Sequence, residues 1–91
     1  MRRRFDEIRR EIMENDEAIV AAVNRRLALV TELWELKAQL GLDTVDPDRE
    51  RLLRDALAAA SSGPLSRGGL DRLVTELLDL TKTELGPDRS V

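Results

Sequence analysis

Ninety-one residues with a formal charge of −3 suffice for one domain and argue against a chain that coats nucleic acid or an anionic membrane. The absence of cysteine and histidine excludes a disulfide framework, a Cys-ligated zinc site, the commonest general base and every Ser-His or Cys-His nucleophile. Phe5 and Trp34 are the only aromatic residues, too few to stack single-stranded bases, and no apolar run approaches the ~20 residues of a membrane span.

The chain reads as one all-α domain over residues 1–91, with three helices and no strand pattern, internal repeat or low-complexity segment. The opening M-R-R-R-F is basic, but no apolar signal core follows it, so the expectation is a soluble, cytoplasmic protein. Residues from about 3 to 40 contain neither Pro nor Gly and predict a first helix, which Gly41 ends. G-L-D-T-V is a connector. Asp46 and Pro47 then open a second helix reaching about Ala60. Asp46 suits the N-cap and Pro47 the first helical position, while Asp48 and Glu50 complement the positive helix end. Arg49 opposes that trend, and alone it reads as a surface residue. The tract S-S-G-P-L-S is a loop, and a third helix covers about 67 to 85. Gly86-Pro87 stops it, leaving a tail over 86–91 that is expected to fray.

The first helix is too long for its own domain. About 36 residues at 1.5 Å each span ~54 Å, whereas a compact chain of this length has a radius of gyration of ~12 Å. Its apolar stripe nevertheless persists through Phe5, Ile8, Ile12, Ile19, Val23, Val30, Leu33 and Leu40. Two shorter helices cannot cover all of it. A second copy of the chain is the economical partner, which predicts an intertwined homodimeric helical bundle.

Polar residues interrupt that stripe at Asp16, Arg26 and Lys37. Eleven residues separate Arg26 from Lys37, and 1100° of helical rotation returns to within ~20° of the starting direction. The two cations share a face. Cations at such positions need partners. Either Asp16 and other carboxylates pair them, or they snorkel at the stripe margin, or they converge on an anionic ligand held between helices.

Three segments together give the chain a family resemblance. They are I-R-R-E-I-M-E-N-D-E-A-I-V-A-A-V-N-R-R, then L-K-A-Q-L-G-L, then V-D-P-D-R-E-R-L-L. In this order and spacing they resemble the all-helical (type II) chorismate mutase family over about residues 5 to 85. The G-P-L loop and E-L-L-D-L-T are similar to that family's third helix. The resemblance implies that Arg9 reaches into the partner's site to bind a substrate carboxylate, and that Arg26 binds one within its own protomer. It implies that Lys37 contacts the ether oxygen and a carboxylate. Asp46 and Glu50 lie near the ring hydroxyl, Arg49 completes the cationic lining, Thr81 approaches a carboxylate, and Leu33 and Leu78 are apolar walls.

The implied reaction is the [3,3] rearrangement of chorismate to prephenate in aromatic amino-acid biosynthesis by the shikimate pathway. It requires no proton transfer, nucleophile, metal or cofactor, so the lack of His and Cys is no obstacle. Orientation of a dianion and stabilisation of charge on the ether oxygen are sufficient tasks for fixed cations. Arginine forks suit the carboxylates. Three positions depart from the family pattern. Leu85 stands where many members carry a Gln or Glu that donates to the ether oxygen, with Glu84 beside it but about 100° away around the helix. Trp34 stands where a small residue is common. Val45 stands where polar or basic residues occur. Some small stand-alone members also work with the first enzyme of the shikimate pathway, so the resemblance leaves a pathway enzyme as a possible partner. The alternatives are a sister activity on the same scaffold (4-amino-4-deoxychorismate mutase or isochorismate pyruvate-lyase), or a non-catalytic helical interaction module.

Overall fold

Gly41, Ser66 and Gly86 punctuate the chain, and the helices lie between them. A computed structural model describes residues 1–87 and 89–91. Among these, α1 runs Arg2–Leu40, α2 Arg49–Ala60 and α3 Arg67–Leu85, with no strand. Gly41 takes the left-handed conformation at φ 66°. Its N–H reaches the carbonyl of Ala38 at 3.3 Å, and that of Leu42 reaches Lys37 at 2.9 Å. This pairing satisfies two carbonyls of the last turn and favours glycine at the αL position. Ser66 caps α3, its Oγ accepting the N–H of Gly69 at 3.0 Å.

α1 is 39 residues long, and the molecule measures 59 × 24 × 19 Å with a radius of gyration of 16.6 Å. That radius exceeds the ~12 Å of a compact chain of this length. α3 packs against both α1 and α2, which do not pack on each other. The core is small. It comprises Val30 and Trp34 of α1 and Leu70 and Val74 of α3, and Thr81 is the buried polar residue. Spacings of four and seven residues put each set on one helical face. The N-terminal half of α1 finds no cover within the chain: Phe5, Ile8, Ile12 and Ile19 are exposed. No described helix is long and apolar enough to cross a membrane.

Two local expectations change. The second helix begins at Arg49 rather than Asp46, and Asp48 occupies its N-cap. Asp46 instead closes a turn. Its Oδ1 accepts the N–H of Asp48 at 3.1 Å, and its carbonyl accepts that of Arg49 at 3.1 Å. An aspartate before proline favours this turn as readily as a cap, because its carboxylate bonds the backbone two residues on.

The tail is also tied down rather than frayed. Gly86, at φ 111° in a region open only to glycine, turns the chain as α3 ends. The Ser90 N–H then donates to the carbonyl of Thr44 at 2.8 Å, and Ser90 Oγ accepts from the N–H of Asp46 at 2.8 Å. The Arg89 guanidinium lies 4.1 Å from the centre of the Trp34 ring. Of the expected tail, Asp88 lies outside the described residues.

Replacing the α3 cap tests this account. Ser66→Ala leaves the Gly69 N–H without its side-chain acceptor and should cost about 1 kcal/mol. Chemical denaturation at one fixed protein concentration reads the loss.

Candidate active site

The site begins with a guanidinium that burial has partly desolvated. Arg26 is half-buried on α1, and this desolvation lowers its pKa from the usual arginine value. It stays charged. Its side-chain partner among the described residues is a hydroxyl, with Nη1 donating to Thr81 Oγ1 at 2.6 Å. The Thr81 proton goes in turn to the carbonyl of Leu77 at 2.9 Å. Thr81 therefore orients Arg26, and in this arrangement it has no proton left for a ligand. Asp16 pairs with neither α1 cation; it lies ten residues, about 15 Å, along the helix from Arg26.

Lys37 stands three turns further along the same face. Its Nζ donates to the carbonyl of Ser90 at 3.1 Å, and the same oxygen accepts from Trp34 Nε1 at 2.9 Å. The tail thus covers both the lysine and the tryptophan. Arg49, at the start of α2, donates from Nε to the main-chain oxygen of Val91 at 2.7 Å.

A cleft of about 430 Å³ opens between α2, α3 and the tail. Of the residues expected from sequence, it gathers Asp46, Arg49, Glu50, Leu78 and Thr81. Arg26 and Lys37 lie one hydrogen bond behind it, through Thr81 and Ser90 respectively. The other expected residues are elsewhere. Arg9 lies over the Phe5 ring, 5.5 Å from its centre. It is 17 residues, about 26 Å, along α1 from Arg26, and does not reach this cleft in its own chain. Leu33 is exposed on α1 and forms no part of the wall. Glu84 is exposed, Leu85 is half-buried, and neither lines the cleft.

Sequence reasoning missed several wall residues: Arg54, Thr75, Asp79, Lys82 and the tail. Helical spacing carried the signal for part of that set. Thr75, Leu78, Asp79 and Lys82 share one face of α3 with i+3 and i+4 intervals, and Arg54 follows Glu50 by four. No local pattern signals the tail. Lys82 lines the cleft with no side-chain partner among the described residues.

A cleft edged by Arg49 and Lys82, with Arg26 and Lys37 behind it, is equipped to hold a small polyanion and to stabilise developing negative charge. With no histidine or cysteine, the chain offers none of the usual nucleophile–base pairs. This describes a small all-helical protein with a cation-bearing cleft, and the comparisons narrow the class. Residues 8–84 match the chorismate mutase type II family, so the chain belongs to that family. A chorismate mutase of Methanocaldococcus jannaschii is 37% identical over 51 residues, covering 56% of this chain and 52% of the relative. The chain thus matches about half the length of that curated relative. No solved structure gives a significant match.

Trp34 is the lone tryptophan, so its emission reports the tail directly. Ending the chain after Pro87 removes the Ser90 carbonyl from Nε1 and Arg89 from the ring face. The emission should shift to the red, while far-UV circular dichroism keeps its helical signal.

Proposed function

We propose that this protein is a chorismate mutase, converting chorismate to prephenate as a homodimer with shared active sites in the cytoplasmic shikimate pathway. The observation that carries the reading is the family match over residues 8–84, a range that includes Arg9, Arg26, Lys37, Arg49 and Glu50. Contacts among the groups around the cleft support it.

The rearrangement breaks the ether C–O bond of the enolpyruvyl arm as a C–C bond forms across the ring. No atom enters or leaves. Negative charge gathers on the ether oxygen, and the Lys37 ammonium is the group that meets it. For that, the substrate takes the place of the Ser90 carbonyl, which now holds Nζ. Arg26, fixed by Thr81, binds one carboxylate through its remaining N–H groups. Arg9 of the second protomer binds the other, since Arg9 cannot span the ~26 Å to its own cleft. Glu50 accepts from the ring hydroxyl. Fixed donors of this kind lower the barrier because they need no reorganisation as charge develops. Lys82 supplies further positive charge on the α3 wall of the cleft, and Leu85, outside that wall, offers no donor.

The dimer draws support from α1. Phe5, Ile8, Ile12 and Ile19 lie exposed along a helix whose own chain leaves them uncovered, and a second α1 offers a matching apolar face. A shikimate-pathway enzyme is the further partner to test alongside it.

Purified protein incubated with chorismate should deplete it and yield prephenate. No turnover above background, with and without a shikimate-pathway enzyme, would sink the reading. Lys37→Ala should lower kcat by about 10²–10³-fold, with the helical signal retained. Equal mixing of Arg9→Ala and Arg26→Ala chains under subunit exchange should restore about one quarter of wild-type activity, because half the dimers then hold one intact site. Mixed dimers without activity would refute sharing.

A further inference from the structure

Arg54 is the best-anchored side chain of the cleft, and nothing in the proposed reaction uses it. From α2, its Nη2 and Nε donate to Glu50 Oε1 at 3.0 and 3.3 Å. Its Nη1 donates to the carbonyl of Asp71 at 2.9 Å, and Nη2 donates to Thr75 Oγ1 at 2.9 Å. Thr75 Oγ1 sends its own proton to that same Asp71 carbonyl. The Arg54 side chain is 21% exposed against 61% for Glu50. Two anchors on α3 keep the guanidinium from swinging away, so Glu50 rests against a fixed cation.

The consequence concerns what Glu50 prefers to bind. A carboxylate alone accepts from a hydroxyl or an ammonium, and Coulomb attraction favours the ammonium. Here one carboxylate oxygen takes both Arg54 contacts and the pair is close to neutral. The cleft wall carries Asp46 and Asp79 but also Arg49, Lys82 and Arg89, so its other charges largely offset one another. Asp71 is shared between Arg54 at 3.6 Å and Arg67 at 3.3 Å, and Asp79 shares the cleft wall with Lys82 and Arg49. An ammonium brought to Glu50 gains a half-cancelled carboxylate and meets the Arg54 charge at close range. A neutral hydroxyl still finds a hydrogen-bond acceptor and meets no repulsion.

We infer that Arg54 sets ring-substituent specificity, holding Glu50 as a neutralised acceptor that takes a hydroxyl and rejects an ammonium. The inference rests on the proposed chorismate mutase activity and deepens it, by separating chorismate from its 4-amino-4-deoxy analogue. Arg54 acts through Glu50 and through its field, so it is a positioning and specificity residue.

The test is the ratio of kcat/KM for chorismate to that for 4-amino-4-deoxychorismate. Wild type should favour chorismate. Arg54→Met should lower the ratio by at least about 10-fold, since one charge at short range is removed. Arg54→Gln serves if the methionine variant does not fold. Arg54→Lys should keep most of the wild-type ratio because it keeps the charge. An unchanged ratio in the neutral Arg54 variants overturns the inference, as does a ratio that falls equally in Arg54→Lys. Wild type inactive on both substrates overturns the proposed function itself.

Discussion

A half-buried guanidinium held by a hydroxyl, with no carboxylate paired to it among the described residues, is the constraint on which the rest depends. Arg26 is held by the hydroxyl of Thr81, which satisfies its geometry and leaves its charge uncancelled. The bond joins α1 to α3 and fixes the rotation of α3, because Thr81 is buried while Leu78 and Lys82, close by on the helix, line the cleft. The same bond thus positions the wall and supplies part of its field. An apolar pair at these positions would hold the helices together equally well and leave nothing for an anion to find.

Helix ends were legible in the sequence because each has a local cause. Gly41 and Gly86 adopt backbone conformations that other residues resist, and Ser66 caps in place. Asp46 was less legible, since Asp-Pro-Asp encodes an Asx turn as readily as an N-cap. The tail was not legible at all. Its contacts with Trp34 and Lys37 cross 56 and 53 residues, and no periodicity reports a pairing at that range. Arg26 and Lys37 were read as sharing a face and do so, yet each stands behind the cleft rather than in it. Only the tertiary arrangement reveals the intervening Thr81 and Ser90.

The economy of the core frames the remaining expectations. Val30, Trp34, Leu70 and Val74 are the buried apolar residues, and α2 contributes none. Arg54 partly takes the role that apolar contact plays elsewhere, bridging α2 to α3 through the Asp71 carbonyl and the Thr75 hydroxyl. A polar bridge of this kind is directional where an apolar contact is not. It sets one register between the two helices that frame the cleft, and at the same stroke determines the surroundings of Glu50. Arg9, by contrast, rests over the Phe5 ring and Leu33 is exposed, and neither enters the cleft.

The Ser90 carbonyl that holds Lys37 also bears on how the ammonium waits. A carbonyl oxygen supplies a hydrogen bond and no net charge, so the lysine is aimed and partly dehydrated while its full field persists. A carboxylate in that place would have quenched the field and would leave only at the cost of separating opposite charges. Exchange of the carbonyl for an anionic oxygen replaces one acceptor by a stronger one in the same position, with little rearrangement of the ammonium itself. The tail therefore aims the Lys37 ammonium through a neutral acceptor and leaves its charge uncancelled.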